Sequence, residues 1–132
     1  FSLTFKDGKV VDYKAERGAE ILKELFSTDE GASYLGEVAL VPYDSPISKS
    51  GVLFFNTLFD ENAACHLAFG KAYPTCIKGG EAMTSVELLQ RGVNDSLVHE
   101  DFMVGSRDLT IDGIEADGTR VPVFREGNFA FV

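Results

Sequence analysis

The run His99-Glu100-Asp101 is the strongest chemical signal in the chain. In an extended strand successive side chains alternate faces, so His99 and Asp101 point the same way. Leu97 and Met103 flank them on that face, while Val98, Phe102 and Val104 line the other. A buried Asp is costly unless it is hydrogen-bonded, paired or bound to a cation. The pair therefore fits metal ligation, a His–Asp hydrogen bond, or a polar pair on a solvated strand. Glu37 is the second signal, because it interrupts the otherwise apolar run Tyr34 to Val41. It is either solvated or aimed into a site. His66, one of two histidines, stands beside Leu67 and Phe69, a setting where a packed core histidine is common. Imidazoles and carboxylates together form a borderline-hard donor set that suits Zn²⁺, Co²⁺, Mn²⁺ or Fe²⁺.

Other arrangements fail on spacing. Cys65 and His66 are neighbours on an expected helix, and adjacent helical residues do not face each other, so they form no catalytic dyad. Gly70-Lys71-Ala72 lacks the earlier glycine and the Ser/Thr of a phosphate loop, and there is no G-x-S-x-G run. Asn94-Asp95-Ser96 fits a glycosylation sequon by chance.

The elements that must position these groups follow from periodicity. Alternating apolar residues on either side of Asp7-Gly8 predict a hairpin over residues 1–13. Ala19, Leu22, Leu25 and Phe26 recur at helical spacing and predict a helix over 17–27. Leu35–Val41 reads as a short strand, Pro42 and Pro46 frame a loop, and Val52–Phe55 is a further apolar run. Asp60 is a candidate N-cap for a helix over Glu61–Phe69 that stops at Gly70. Residues 74–82 read as loop, and Thr84 or Ser85 caps a short helix ending near Gly92. Leu97–Val104 is a strand. Asp112-Gly113, Asp117-Gly118 and Glu126-Gly127 predict successive hairpins in the tail. The fold class is α+β: a strand-rich mixed sheet with hairpins and two or three short helices.

At 132 residues the chain suits one domain. An apolar fraction of 45% excludes disorder. No apolar run reaches the roughly 20 residues of a membrane helix. A net charge of −9 repels phosphate backbones and attracts divalent cations, so neither nucleic acid nor membrane is an expected partner. The absence of a leader-like start and the use of only two cysteines predict a reducing, cytoplasmic setting.

Taken in order, Leu35-Gly36-Glu37-Val38-Ala39-Leu40-Val41-Pro42, the long run from Asn56 to Gly70, and Asn94-Asp95-Ser96-Leu97-Val98-His99-Glu100-Asp101-Phe102-Met103-Val104-Gly105 resemble the M29 metallo-aminopeptidases. These are the thermophilic type that includes aminopeptidases T and S. The resemblance spans nearly the whole chain and matches the C-terminal third of a family member. It implies that Glu37, His66, His99 and Asp101 are metal ligands, His66 being the family's helix-borne imidazole. It further implies that Tyr73, in Ala72-Tyr73-Pro74, is the active-site tyrosine. It implies two divalent ions (Zn, Co or Mn, with Mg possible), a peptide substrate and a homodimer. Glu37 fits both the ligand and the general base, and Tyr73 fits a donor to the tetrahedral oxyanion.

The resemblance also implies that the family's N-terminal domain and a further glutamate ligand, in a Gly-Glu motif, lie upstream of Phe1. The 132 residues alone are then expected to fold but to bind metal weakly and to be inactive. Two alternatives stay open at this point. Two His and one carboxylate also describe the facial triad of non-haem Fe²⁺ ring-cleaving dioxygenases, and the stretch could serve only as a dimerisation module.

Overall fold

The computed structural model describes residues 1–131. Among the described residues four short helices and eight strands make the expected α+β fold. The strands form three separate sheets, in the orders β1-β2, β3-β4-β5 and β6-β7-β8. The chain has two compact units: Phe1–Val38 with Leu67–Asp101, and Ala39–His66 with Phe102–Val132.

The first unit opens on the expected hairpin. β1 (Ser2–Lys6) and β2 (Lys9–Lys14) pair antiparallel, with Leu3 opposite Tyr13. Asp7 and Gly8 both take positive φ, 51° and 82°, the two-residue turn whose twist matches the strands it joins. α1 (Ala19–Phe26) lays Phe26 edge-on between Tyr13, 5.2 Å away, and Phe69, 5.0 Å away. Val10, Ala32, Ala68, Phe69 and Val93 are the buried apolar residues of this unit. α4 (Ser85–Gln90) starts at Thr84 in a full capping box with Glu87.

In the second unit, α2 (Pro46–Ser50) forms where a loop was expected. Ser45 accepts the Ser48 N–H, and Pro46 is pre-set for the first helical position. Residues Val52–Phe55 form no strand and lie exposed. β6 (Ile111–Ile114), β7 (Arg120–Arg125) and β8 (Asn128–Phe129) are the tail hairpins, turning at Asp117-Gly118 and Glu126-Gly127. Asp112-Gly113 is not a turn but lies inside β6. Phe124 is fully buried against Phe129, with ring centroids 4.5 Å apart.

The main correction concerns residues 57–70. Helix α3 covers only Thr57–Asp60 and is capped by Asn56, which accepts the Leu58 N–H. Asp60 does not cap a following helix. Its carboxylate turns back to accept the Phe54 and Asn56 N–H groups, at 2.9 and 3.0 Å. A 3₁₀ turn at Glu61–Ala63 follows, and then His66–Gly70 is strand β4, not helix. Ala64 to Gly70 is buried at every position except Leu67, which is half-buried. A continuous apolar run suits a strand covered on both faces, whereas an amphipathic helix needs a polar stripe this run lacks.

Candidate metal centre

β3 (Leu35–Ala39) carries Glu37, β4 opens on His66, and β5 (His99–Met103) carries His99 and Asp101. Glu37, His66 and Asp101 each offer a ligand atom, and these atoms lie within 4.8 Å of one another. Because side chains alternate along a strand, the ring of His99, two residues before Asp101, shares that face. Its Nε2 is 3.4 Å from a Glu37 carboxylate oxygen and 3.6 Å from Asp101 Oδ1. Tyr73 stands on the loop after β4, half exposed, with its ring centroid 5.2 Å from that of His99. Glu37 and Tyr73 also line a cleft of about 430 Å³ with Gly36, Val38, Thr75 and Cys76. His66 was expected on a helix and is the first residue of β4, with 2% of its surface exposed. Cys65 and His66 still form no dyad. The Cys65 thiol is engaged with the Val41 N–H and carbonyl, each at 3.3 Å.

Backbone carbonyls fix both imidazoles. His99 Nδ1 is 2.7 Å from the Lys71 carbonyl, and His66 Nδ1 is 3.0 Å from the Ala64 carbonyl. A carbonyl only accepts, so each ring carries a proton on Nδ1, and in the neutral ring Nε2 is the atom that can ligate. Around His99, Nε2 faces two carboxylates. Asp101 Oδ1 is buried and has no hydrogen-bond partner among the described residues. Two carboxylates gathered this closely repel unless a positive charge, a bound cation or an imidazolium, sits among them. Two imidazoles and two carboxylates are the donor set of Zn²⁺, Co²⁺ or Mn²⁺, so the residues fit a divalent ion. Orientation of each ligating ring through its other nitrogen is the usual support of such sites.

Sequence reasoning missed the groups that hold this arrangement. Asp29, just past α1, accepts from Ala32 N–H at 2.9 Å, Leu97 N–H at 2.7 Å and the Ser96 hydroxyl at 2.9 Å. The Leu97 N–H foremost holds its carboxyl below the ordinary aspartate range; desolvation, next in size, opposes it, and Ser96 with the Ala32 and Gly31 amides adds to it. Asn94 Nδ2 donates to the Gly31 and Gly70 carbonyls, at 2.8 and 2.6 Å. The sequon-like Asn94-Asp95-Ser96 thus supplies two structural side chains. Close approach also demands glycine at 36, because a Cβ there would stand 2.5 Å from the Lys71 carbonyl oxygen that holds His99.

The family model of the thermophilic metalloproteases (M29) matches residues 1–129. Aminopeptidase 2 of Geobacillus stearothermophilus is 66% identical over 99% of this chain, and aminopeptidase AmpS of Bacillus subtilis is 63% identical over the same share. The solved structure of wild-type AmpT from Thermus thermophilus superposes with a TM-score of 0.83 at 52% identity over 97% of the chain. The chain spans about a third of the length of these relatives, 32% of the two aminopeptidases and 31% of the AmpT chain. A match across nearly every residue, joined to an acid–imidazole cluster on one sheet, places this chain in the M29 family of thermophilic metalloproteases.

Proposed function

We propose that this chain is the C-terminal, metal-binding part of an M29 aminopeptidase that removes N-terminal residues from peptides. The observation that carries the reading is the convergence of ligand atoms from Glu37, His66 and Asp101 within 4.8 Å, with His99 against two of them. These four residues are assigned as the ligands, and two divalent ions (zinc, cobalt or manganese, with magnesium as a further candidate) as the cofactor. When bound, such ions polarise a scissile carbonyl and lower the pKa of water to about 7.

The chain's own residues supply the rest. His66 and His99 present Nε2 lone pairs, held there by the Ala64 and Lys71 carbonyls. Glu37 is assigned to two tasks: it contributes a ligand oxygen, and it takes the proton of the attacking water and returns it to the leaving amine. Its place in both the cluster and the cleft supports this. Tyr73 is assigned the hydrogen bond to the tetrahedral oxyanion, a contact of the kind worth about 2.7–4 kcal/mol in other hydrolases. Its position beside His99 supports the assignment. A homodimer and a cytoplasmic setting complete the reading. Leu53, Phe55 and Leu58, which are 63%, 89% and 75% exposed, support burial against another chain, and two free thiols support a reducing compartment.

The test is metal analysis of protein purified without chelator, beside hydrolysis of a panel of aminoacyl anilides. It uses a protein of the family's full length that carries this sequence. Stoichiometric metal and release of the N-terminal residue support the reading. Full activity in excess chelator, or no metal uptake, would overturn it.

A further inference from the structure

We propose that Asp29 is a positioning residue for His99, acting through a relay of hydrogen bonds that ends on the imidazole; the proposal rests on His99 belonging to the metal centre. Asp29 is half-buried and is not among the clustered ligand groups. Three of its hydrogen-bond donors tie two pieces of chain together: Ala32, in the turn before β3, and Ser96 with Leu97, the entry to β5. From Ser96 the relay runs onward. The Ser96 hydroxyl gives its proton to Asp29 and accepts the Val98 N–H at 3.2 Å. The Val98 carbonyl accepts the Lys71 N–H at 2.7 Å. The Lys71 carbonyl accepts the His99 Nδ1–H at 2.7 Å. Each link is a backbone group or a short side chain, so the relay has little rotamer freedom.

The relay is needed because His99 is the first residue of β5, and the end of a strand has fewer ladder bonds to hold it than its middle. A hydroxyl or amide at position 29 could not serve in the same way. The carboxylate accepts all three donors, whereas the amide of Asn would turn a donor toward either the Leu97 or the Ala32 N–H. Asn94 strengthens the frame by fastening the same entry segment to Gly31 and Gly70, while its carbonyl accepts the Ala72 N–H at 2.9 Å.

Nitrogen-15 NMR of the two imidazoles in the metal-free chain, above the histidine titration, reads the tautomer of each ring directly. The chain has two histidines, so each ring is assigned by substituting the other. The wild-type protein should show the proton on Nδ1 in both rings. Asp29→Ala should move the His99 signals toward tautomer averaging and leave those of His66 in place, since His66 is held by Ala64 instead. Ser96→Ala removes one joint while leaving the Asp29–Leu97 bond. It should produce the same shift at smaller amplitude, and it decides the matter if Asp29→Ala does not fold. Unchanged His99 signals in the folded variant, or equal movement of both rings in Ser96→Ala, would overturn the proposal. A parallel zinc titration of the full-length protein separates it from the metal reading. Zinc affinity about tenfold weaker in Asp29→Ala, together with the His99 shift, supports both. A His99 shift with no zinc uptake by the wild type refutes the metal reading alone. Zinc uptake with an unmoved His99 refutes the positioning role alone.

Discussion

Replacing Gly36 by alanine should strike the centre through the backbone of Gly70 and Lys71. The added Cβ would sit 2.5 Å from the Lys71 carbonyl oxygen and would also crowd the Gly70 carbonyl. A carbon–oxygen contact needs about 3.3 Å, so Lys71 must retreat by about 0.8 Å. The bond from His99 Nδ1 to that oxygen starts at 2.7 Å. A retreat of that size either breaks the bond or drags the ring, and with it Nε2, away from Glu37 and Asp101. Both obstacles are backbone atoms, so no rotamer change relieves them. Overpacking of this kind costs about 1–3 kcal/mol. With a urea dependence of about 1–3 kcal/mol per molar, the unfolding midpoint should fall by roughly 1 M. Urea unfolding followed by circular dichroism measures it. A midpoint within about 0.2 M of wild type, well under that shift, would refute the reasoning, because it would mean that the sheet opens at no cost.

Asp101→Asn keeps the shape of the side chain and removes one carboxylate of the proposed ligand set, so metal occupancy in the full-length protein should fall about tenfold or more with the fold intact. Unchanged occupancy by mass spectrometry would remove Asp101 from the ligand set. Asp29 carries a depressed carboxyl pKa, so its stabilising effect is present above the unfolded-state value of about 3.9 and is lost as pH falls through the lower folded value. Asp29→Ala should therefore lower stability at neutral pH and flatten its fall on acidification below about pH 4. A profile parallel to wild type would contradict this. Cys76 is exposed and Cys65 buried, so a thiol reagent should titrate one group in the native protein and both in denaturant. Rapid reaction of both in the native state would place Cys65 differently.

The strands carrying Glu37, His99 and Asp101 were legible because a charged residue inside an apolar strand stands out at period two. The opening hairpin was legible from Asp7-Gly8. His66 was not placed correctly. Asp60-Glu61 imitates a helix start, but its carboxylate is consumed by the loop behind it. The run after it, Ala63–Gly70, is apolar apart from His66, so periodicity could not separate a buried strand from a helix. The supports of the site were invisible for a different reason. The Lys71 and Ala64 carbonyls belong to the backbone, and every residue has one, so only folding selects the two that hold the imidazoles. Asp29 acts 67 and 68 residues along the chain, a separation on which local pattern carries no information. The need for glycine at 36 likewise arises from the approach of residues 70 and 71.

The central claim is that Glu37, His66, His99 and Asp101 bind divalent metal. Anomalous scattering at the zinc edge from crystals grown with zinc tests it most directly. The account predicts an anomalous peak about 2.0–2.2 Å from a carboxylate oxygen of Glu37 or Asp101 and from the Nε2 atom of His66 or His99, with both Nδ1 atoms still bonded to their carbonyls. Fully bound zinc at other residues, with these four side chains unligated, would contradict it.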